Sequence, residues 1–314
     1  MLSRTADALF WLARYVERAD DTARIIDAAN RLAAMPISYA GESNEWESAL
    51  AAAGALYAFS QAHGETDRAS VIDFLAFAPE NPSSIKNCLA TARQNGRAER
   101  TALTGDMWES INSGWLGLQR FDGAKMTRDK LTEFLGLVKE ACLRFDGSAY
   151  RTMLRNDAYF FLNLGVYLER ADSTARILDV KYHLLLPEGA HVGGGIDYFQ
   201  WSSILRSVSS LTAYRWVYHE SLKPWLVADL LVLNEQMPRS LASCYANLSN
   251  FLDELSLAYG RQGPAQRIAR SIRTRLQNAT ISDIFQRTGL HEFLTEFIAD
   301  NNKLGAAIAE QYLT

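Results

Sequence analysis

Ala8–Asp27 reads ALFWLARYVERADDTARIID, and Phe160–Asp179 reads FFLNLGVYLERADSTARILD. At an offset of 152, Tyr15, Glu17, Arg18, Ala19, Asp20, Thr22, Ala23, Arg24, Ile25 and Asp27 recur as Tyr167, Glu169, Arg170, Ala171, Asp172, Thr174, Ala175, Arg176, Ile177 and Asp179. Leu9, Leu12, Val16, Ala19, Ala23 and Ile26 step by three or four residues, as do Phe161, Leu164, Leu168, Ala171, Ala175 and Leu178. That is the period of an amphipathic helix, so both copies are expected to be helical. At 100° per residue, Glu17, Asp20, Arg24 and Asp27 fall within about 80° of one another, bordering the apolar stripe rather than opposing it.

Asp20 and Arg24 are one turn apart, as are Arg24 and Asp27, so each cation can be held between two carboxylates. Two readings follow. The charges can form an Arg–carboxylate network that locks two packed helices, since buried charges are rare unless paired. Or they can line a polar cavity in which acids and Arg forks face a ligand. In the second reading Glu17, Asp20, Glu169 and Asp172 are the candidate acid/base groups, and Arg18, Arg24, Arg170 and Arg176 the candidate binding groups.

The chain's 314 residues make one large domain or two of similar size, and the repeat favours two halves, 1–152 and 153–314. A hydrophobic fraction of 48%, a charged fraction of 22% and a net charge of −4 describe an ordinary globular protein with no pull toward nucleic acid or an anionic membrane. Of 32 basic residues 25 are Arg and 7 Lys, which suits bidentate contacts but also follows from high genomic G+C content. Cys88, Cys142 and Cys244 have neither disulfide-framework nor metal-ligand spacing, so no metal or cofactor is expected and a cytoplasmic setting fits. The first apolar run, Ala8–Ala13, is too short for a signal peptide, and Ser48–Gly64 falls short of a bilayer span.

In chain order, the first helix is expected to reach about Ala34 and to stop at Met35-Pro36, with a loop at Ile37–Asn44. A helix over Glu45–Ala62 follows, and Trp201, Ser203, Leu205 and Leu211 match its Trp46, Ser48, Leu50 and Leu56 at an offset of 155. At 156, His63, Asp73, Leu75, Pro82, Ser84 and Cys88 meet His219, Asp229, Leu231, Pro238, Ser240 and Cys244. The drift reflects a longer second loop, Pro187–Gly195, whose Gly193-Gly194-Gly195 reads as a connector rather than a phosphate loop. Ser83–Arg100 places Arg93, Arg97 and Arg100 on one helical face, loosely echoed by Arg267, Arg270 and Arg273. Such a stripe is either paired with neighbouring acids, Glu17 and Asp20 among the candidates, or an anion-binding groove. Thr104–Gln119, Thr127–Arg144, Ser282–Phe297 and Asn301–Leu313 are further amphipathic helices, with a break at Phe145–Ser148. No segment alternates as a strand would. The expected fold is all-α: two related helical bundles from an internal duplication, with the repeated helices facing each other about a possible pseudo-twofold axis.

No nucleophile elbow, Cys–His arrangement or Ser-x-x-Lys stands in a convincing context for nucleophilic catalysis. A helical di-metal site would draw on Glu17-x-x-Asp20 and Glu169-x-x-Asp172 with His63 and His219, but those histidines lack the required spacing.

The opening FWLARYVERADDTARIID, its echo YLERADSTARILD, the stretch ARQNGRAERTALTGDMWESIN (Ala92–Asn112) and the MPRSLA of Met237–Ala242 together resemble the bacterial alpha-E domain family. The family's hallmark Glu-Arg pair falls on Glu17-Arg18 and Glu169-Arg170. Its Arg-x-Asn-x-Arg, Trp-Glu, Asn pattern falls on Arg93, Asn95, Arg97, Trp108, Glu109 and Asn112, with Gln94 and Gly96 in place of the expected Glu and Ala. The resemblance implies an all-helical fold without an assigned reaction, encoded beside an ATP-grasp-type ligase and a transglutaminase-like peptidase, sometimes with a proteasome-like hydrolase. The implied role is that of a non-hydrolytic partner in peptide ligation and trimming, which binds a peptide, an anionic intermediate or the ligase. The alternatives are an enzyme using the repeated Glu, Asp and Arg residues for acid/base chemistry and, below it, a di-metal carboxylate protein.

Overall fold

The computed structural model describes residues 1–34, 45–183 and 194–313, and every regular element among them is helical. The expected stop at Met35-Pro36, the loop at Ile37–Asn44 and most of the Pro187–Gly195 connector lie outside the described residues. Helix α1 spans Ser3–Leu32 and closes in a turn at Ala33–Ala34. After it come α2 (Glu45–Ala52), α3 (Leu56–Ala62), α4 (Arg68–Ala76), α5 (Ile85–Ala98), α6 (Gly105–Leu118) and α7 (Arg128–Thr152). Helix α8 (Asp157–His183) begins the second run: α9 (Gly195–Ser207), α10 (Leu211–Tyr218), α11 (Pro224–Ala228), α12 (Leu241–Tyr259), α13 (Pro264–Asn278), α14 (Ile281–Asp283) and α15 (Leu290–Ile308).

Three expected boundaries are corrected. The single helix over Glu45–Ala62 is two, because the chain turns at Gly54 with φ +65°, a conformation glycine adopts without a Cβ clash. The break at Phe145–Ser148 does not occur: α7 runs through it, with Phe145 buried in the core and Asp146 turned toward Arg170 at 3.6 Å. Near the end of the chain the break falls at Gly289, φ +90°, rather than before Asn301. Asn301 is buried inside α15, where it accepts from Tyr245 Oη at 2.9 Å and donates to Leu168 O at 3.1 Å. The residue expected to start a separate helix is thus satisfied by two bonds across the core from inside a continuous one.

Helix α1 lies against α8, α5 and α7; α8 lies in turn against α12 and α15, while α6 packs on α7 and α13 on α15. Leu9, Leu12, Ala19, Ala23 and Ile26 on α1 and Leu164, Ala171 and Ala175 on α8 are fully buried, which places the two apolar stripes in one hydrophobic cluster running from Ala6 to Tyr312. Burying each of the larger side chains contributes about 1.5–3 kcal/mol. The two long helices approach closely at Gly165, where a Cβ would stand 2.3 Å from Phe10 O and 3.1 Å from Ala13 Cβ. Ala13 and Gly165 occupy the same position in the repeated stretch, so small residues from both copies meet at the crossing. No described helix is long and apolar enough to cross a membrane.

Candidate functional site: a cross-paired Glu-Arg network and its cavity

The 3.6-residue period brings Glu17, Arg18, Asp20, Asp21 and Arg24 to the edge of α1 that meets α8, and Glu169, Arg170, Asp172, Ser173 and Arg176 to the facing edge of α8. Their pairing crosses between the helices. Arg170 forks onto Glu17, with Nε to Oε1 at 2.7 Å and Nη2 to Oε2 at 2.9 Å. Arg18 forks onto Glu169, with Nε to Oε1 at 2.6 Å and Nη2 to Oε2 at 3.1 Å, and Arg14 Nε adds a bond to Oε2 at 2.7 Å. Glu17 and Glu169 are only 3% and 5% exposed. Each Arg also rests beside the aromatic ring of its own copy, Arg18 at 5.7 Å from the centroid of Tyr15 and Arg170 at 5.3 Å from that of Tyr167.

One turn further on, the pairing is within each helix: Arg24 Nε to Asp20 Oδ2 at 2.7 Å and Arg176 Nε to Asp172 Oδ2 at 2.6 Å. Their far ends reach the corners between the short helices. Arg24 Nη1 donates to Ser209 Oγ at 2.7 Å, and Arg176 Nη1 passes under Gly54, where a Cβ would be 3.2 Å away. Ser209 has φ 57° and matches Gly54 at the offset of 155, so both corners turn through the left-handed region over an arginine.

Arg239, from the turn ahead of α12, completes the network and was not singled out from sequence. Its Nη1 lies 2.8 Å from Asp21 Oδ1 and 3.2 Å from Glu17 Oε1, and its Nη2 lies 2.9 Å from Asp20 Oδ2. The signal that could have found it is a mismatch: at the offset of 156, Arg239 aligns with Ser83, immediately before the matched Ser84 and Ser240. Asp21 was missed for the same reason, since its counterpart is Ser173.

These contacts set the charge states. Burial raises the pKa of Glu17, but Arg170 and Arg239 outweigh it and hold the carboxyl at about 2. Burial acts likewise on Glu169, where Arg14 and Arg18 prevail and the pKa is lowered. At Asp21 burial wins over Arg239, with Glu17 and Asp20 adding repulsion, and the pKa rises to about 7. Asp172 is also raised, by burial against the pull of Arg176. Asp146, beside Arg170, is likewise raised to about 7, by burial and by the charge of Glu17. Both Glu side chains are therefore ionised and engaged at neutral pH, and Asp21 and Asp146 are carboxyls poised to exchange a proton there. Asp20 Oδ1 and Asp21 Oδ2 are buried without a hydrogen-bond partner.

Beside the network opens a cavity of about 220 Å³, lined among others by Arg18, Asp21, Ser83, Glu169, Asp172 and Arg176. Both signs of charge face it.

The other sequence-derived candidates lie elsewhere. Arg93 Nε donates to Asn112 Oδ1 at 2.8 Å and its guanidinium sits 5.9 Å from the Trp108 ring centroid; Arg100 is 5.5 Å from the same centroid and donates to Leu103 O. Arg97 is exposed and Asn95 half-buried. None of the described ion pairs joins this stripe to Glu17 or Asp20. Glu109 and Asn112 instead line an open groove of about 1000 Å³ between α6 and α7, together with Arg144 and Arg151. His63 stacks on Phe59 at 4.7 Å between centroids, and His219 ends α10. Among the described residues no group of three or more His, Cys, Asp or Glu side chains is placed to hold a metal. Cys88 and Cys244 are buried beside the network, and burial pushes both thiols up to about 12, away from thiolate chemistry.

A family model, Alpha-E, described as a predicted alpha-helical domain with a conserved ER motif, matches residues 1–313. No curated protein and no solved structure matches the chain.

Proposed function

The chain belongs to the Alpha-E family, and we propose that it serves as a binding partner in a cytoplasmic peptide-ligation system, alongside an ATP-grasp-type ligase and a transglutaminase-like peptidase. In this reading it holds a peptide end in the cavity beside Glu169 and Asp172 while the ligase performs the chemistry. The observation that carries it is the state of the repeated acids. Glu17 and Glu169 are each closed by two arginines and kept ionised, which suits a rigid binding frame and leaves neither free to shuttle protons. Beside that frame, guanidinium and carboxylate groups converge on one cavity, the combination that recognises the charged ends and side chains of peptides.

The test is to incubate the purified chain with its neighbouring ligase, ATP and candidate peptides. Ligation that increases with the chain present, and falls back with Asp172→Asn, supports the reading. Equal ligation with and without the chain, and no calorimetric binding of ligase or peptide, overturns it.

One observation favours the enzyme reading: Asp21 lines the same cavity with its pKa near 7. An acid/base role there would appear as conversion of the peptide by the chain alone, abolished in Asp21→Asn.

A further inference from the structure

The turns Pro82-Ser83-Ser84 and Pro238-Arg239-Ser240 occupy matching positions, and Ser84 and Ser240 each cap the helix that follows, accepting from Asn87 N and Ser243 N. Only the middle residue differs. In the second turn Arg239 drives its guanidinium into a bay made by Glu17, Asp20 and Asp21. In the first, the side chain ends at Ser83 Oγ, which accepts from Arg18 Nη1 at 3.3 Å. The bay in front of it carries Glu169, Asp172 and Ser173, the counterparts of the three groups that hold Arg239. That bay is the 220 Å³ cavity.

We propose that this cavity is a binding site for an organic cation, a guanidinium or primary ammonium group, which takes the place that Arg239 fills in the matching bay. The fold itself supplies the template, since a guanidinium already sits in the matching bay with three carboxylate contacts. The volume is sufficient, being larger than the roughly 150 Å³ that admits a benzene-sized ligand. Glu169 is already closed by Arg14 and Arg18, so the charge left for a ligand is that of Asp172. Asp20 is bonded to both Arg24 and Arg239, whereas among the described ion pairs Asp172 has Arg176 alone. Asp21, 3% exposed, lines the cavity while its Oδ2 accepts no hydrogen bond. An entering cation meets Asp172, with Asp21 in the wall of the cavity and Ser173 Oγ as a neutral acceptor.

The inference rests on the peptide-binding reading only for its source, the basic side chain or amino end of a peptide, and its test needs no ligase. Calorimetry on the isolated chain uses methylguanidinium and methylammonium as probes, with acetate and phosphate as anionic controls. The methylguanidinium arm reports an arginine-like ligand and the methylammonium arm a lysine or a peptide amine. The expected result is saturable binding of at least one cation, weakened about tenfold or more in Asp172→Asn. In Ser83→Arg, which installs the counterpart of Arg239, binding should be lost while the melting temperature is held or raised. Binding of acetate or phosphate without either cation overturns the proposal, as does cation binding that Asp172→Asn leaves unchanged. Asp172→Asn carries the test by itself if Ser83→Arg fails to fold. Cation binding without any effect of the chain on ligation would reject the ligase partnership alone. A ligase effect without cation binding would reject this inference alone.

Discussion

Arg239 Nη1 sits 2.8 Å from Asp21 Oδ1, joining the turn ahead of α12 to the middle of α1. The same guanidinium serves Glu17 and Asp20, so its removal strands buried Asp21 and takes one of two arginines from Glu17 and from Asp20, whereas removal of Arg24 leaves Asp20 with Arg239 still in place. Arg239→Ala is therefore expected to cost about 3–5 kcal/mol, the range for breaking a buried pair. Arg24→Ala should cost about 1–3 kcal/mol, the worth of one charged hydrogen-bonding group. Urea denaturation of the two variants checks the order, and equal losses would contradict it.

The pH dependence of stability follows from Asp21 and Asp146, both raised to about 7, and Asp21 is the one that lines the cavity. Its folded pKa, about 7, lies above the ordinary value of 3.8, so the folded state binds the extra proton in that window. The group's contribution is complete below about pH 4 and is lost as the pH rises through about 7, at up to about 1.4 kcal/mol per pH unit. Glu17, held near 2, stays ionised throughout that window. Asp21→Asn, which mimics the protonated form, should match the wild type below about pH 4 and exceed it by up to about 4 kcal/mol at pH 7.5. Parallel profiles across this interval would show that Asp21 does not carry the slope.

Gly165 gives a steric forecast. An alanine there would meet backbone, Phe10 O at 2.3 Å, and the two long helices would have to separate. Gly165→Ala should cost about 1–3 kcal/mol as an overpacked contact. Gly136→Ala on α7, where nothing lies within 4 Å of the added methyl, should gain about 0.5–1 kcal/mol from helix propensity. Thermal melting of the pair decides it: a Gly165→Ala protein as stable as Gly136→Ala would mean that the helices are not in contact there.

Much of this arrangement is legible in the sequence. The apolar period and the recurring Glu-Arg pair suffice to set α1 and α8 side by side with charges at the border of the core, and the all-helical class follows from the same periodicity. The partners of those charges are less legible. Spacing alone offers Asp20 and Asp172 as one-turn partners of Arg24 and Arg176, which they are, but it carries no information on a contact between residues 153 apart such as Glu17 and Arg170. Arg239 was hidden because a lone arginine in a turn has no period, and only its mismatch with Ser83 marks it. The break expected ahead of Asn301 is absent because its amide is buried and satisfied by Tyr245 and Leu168, a pairing that spacing does not show. The Arg93, Arg97 and Arg100 stripe was read from helical spacing, yet two of its members turn to Trp108 and neighbouring polar atoms rather than to the acids of α1.

The account stands on the crossing of the Glu-Arg pairs between α1 and α8, and a double-mutant cycle on Glu17 and Arg170 measures it directly. Glu17→Gln, Arg170→Gln and the double variant are unfolded in urea beside the wild type. A favourable coupling of about 1–3 kcal/mol, as for residues bonded within one buried network, is the predicted result. Additivity within about 0.3 kcal/mol would mean that the two side chains do not meet, and would contradict both the frame and the cavity built on it.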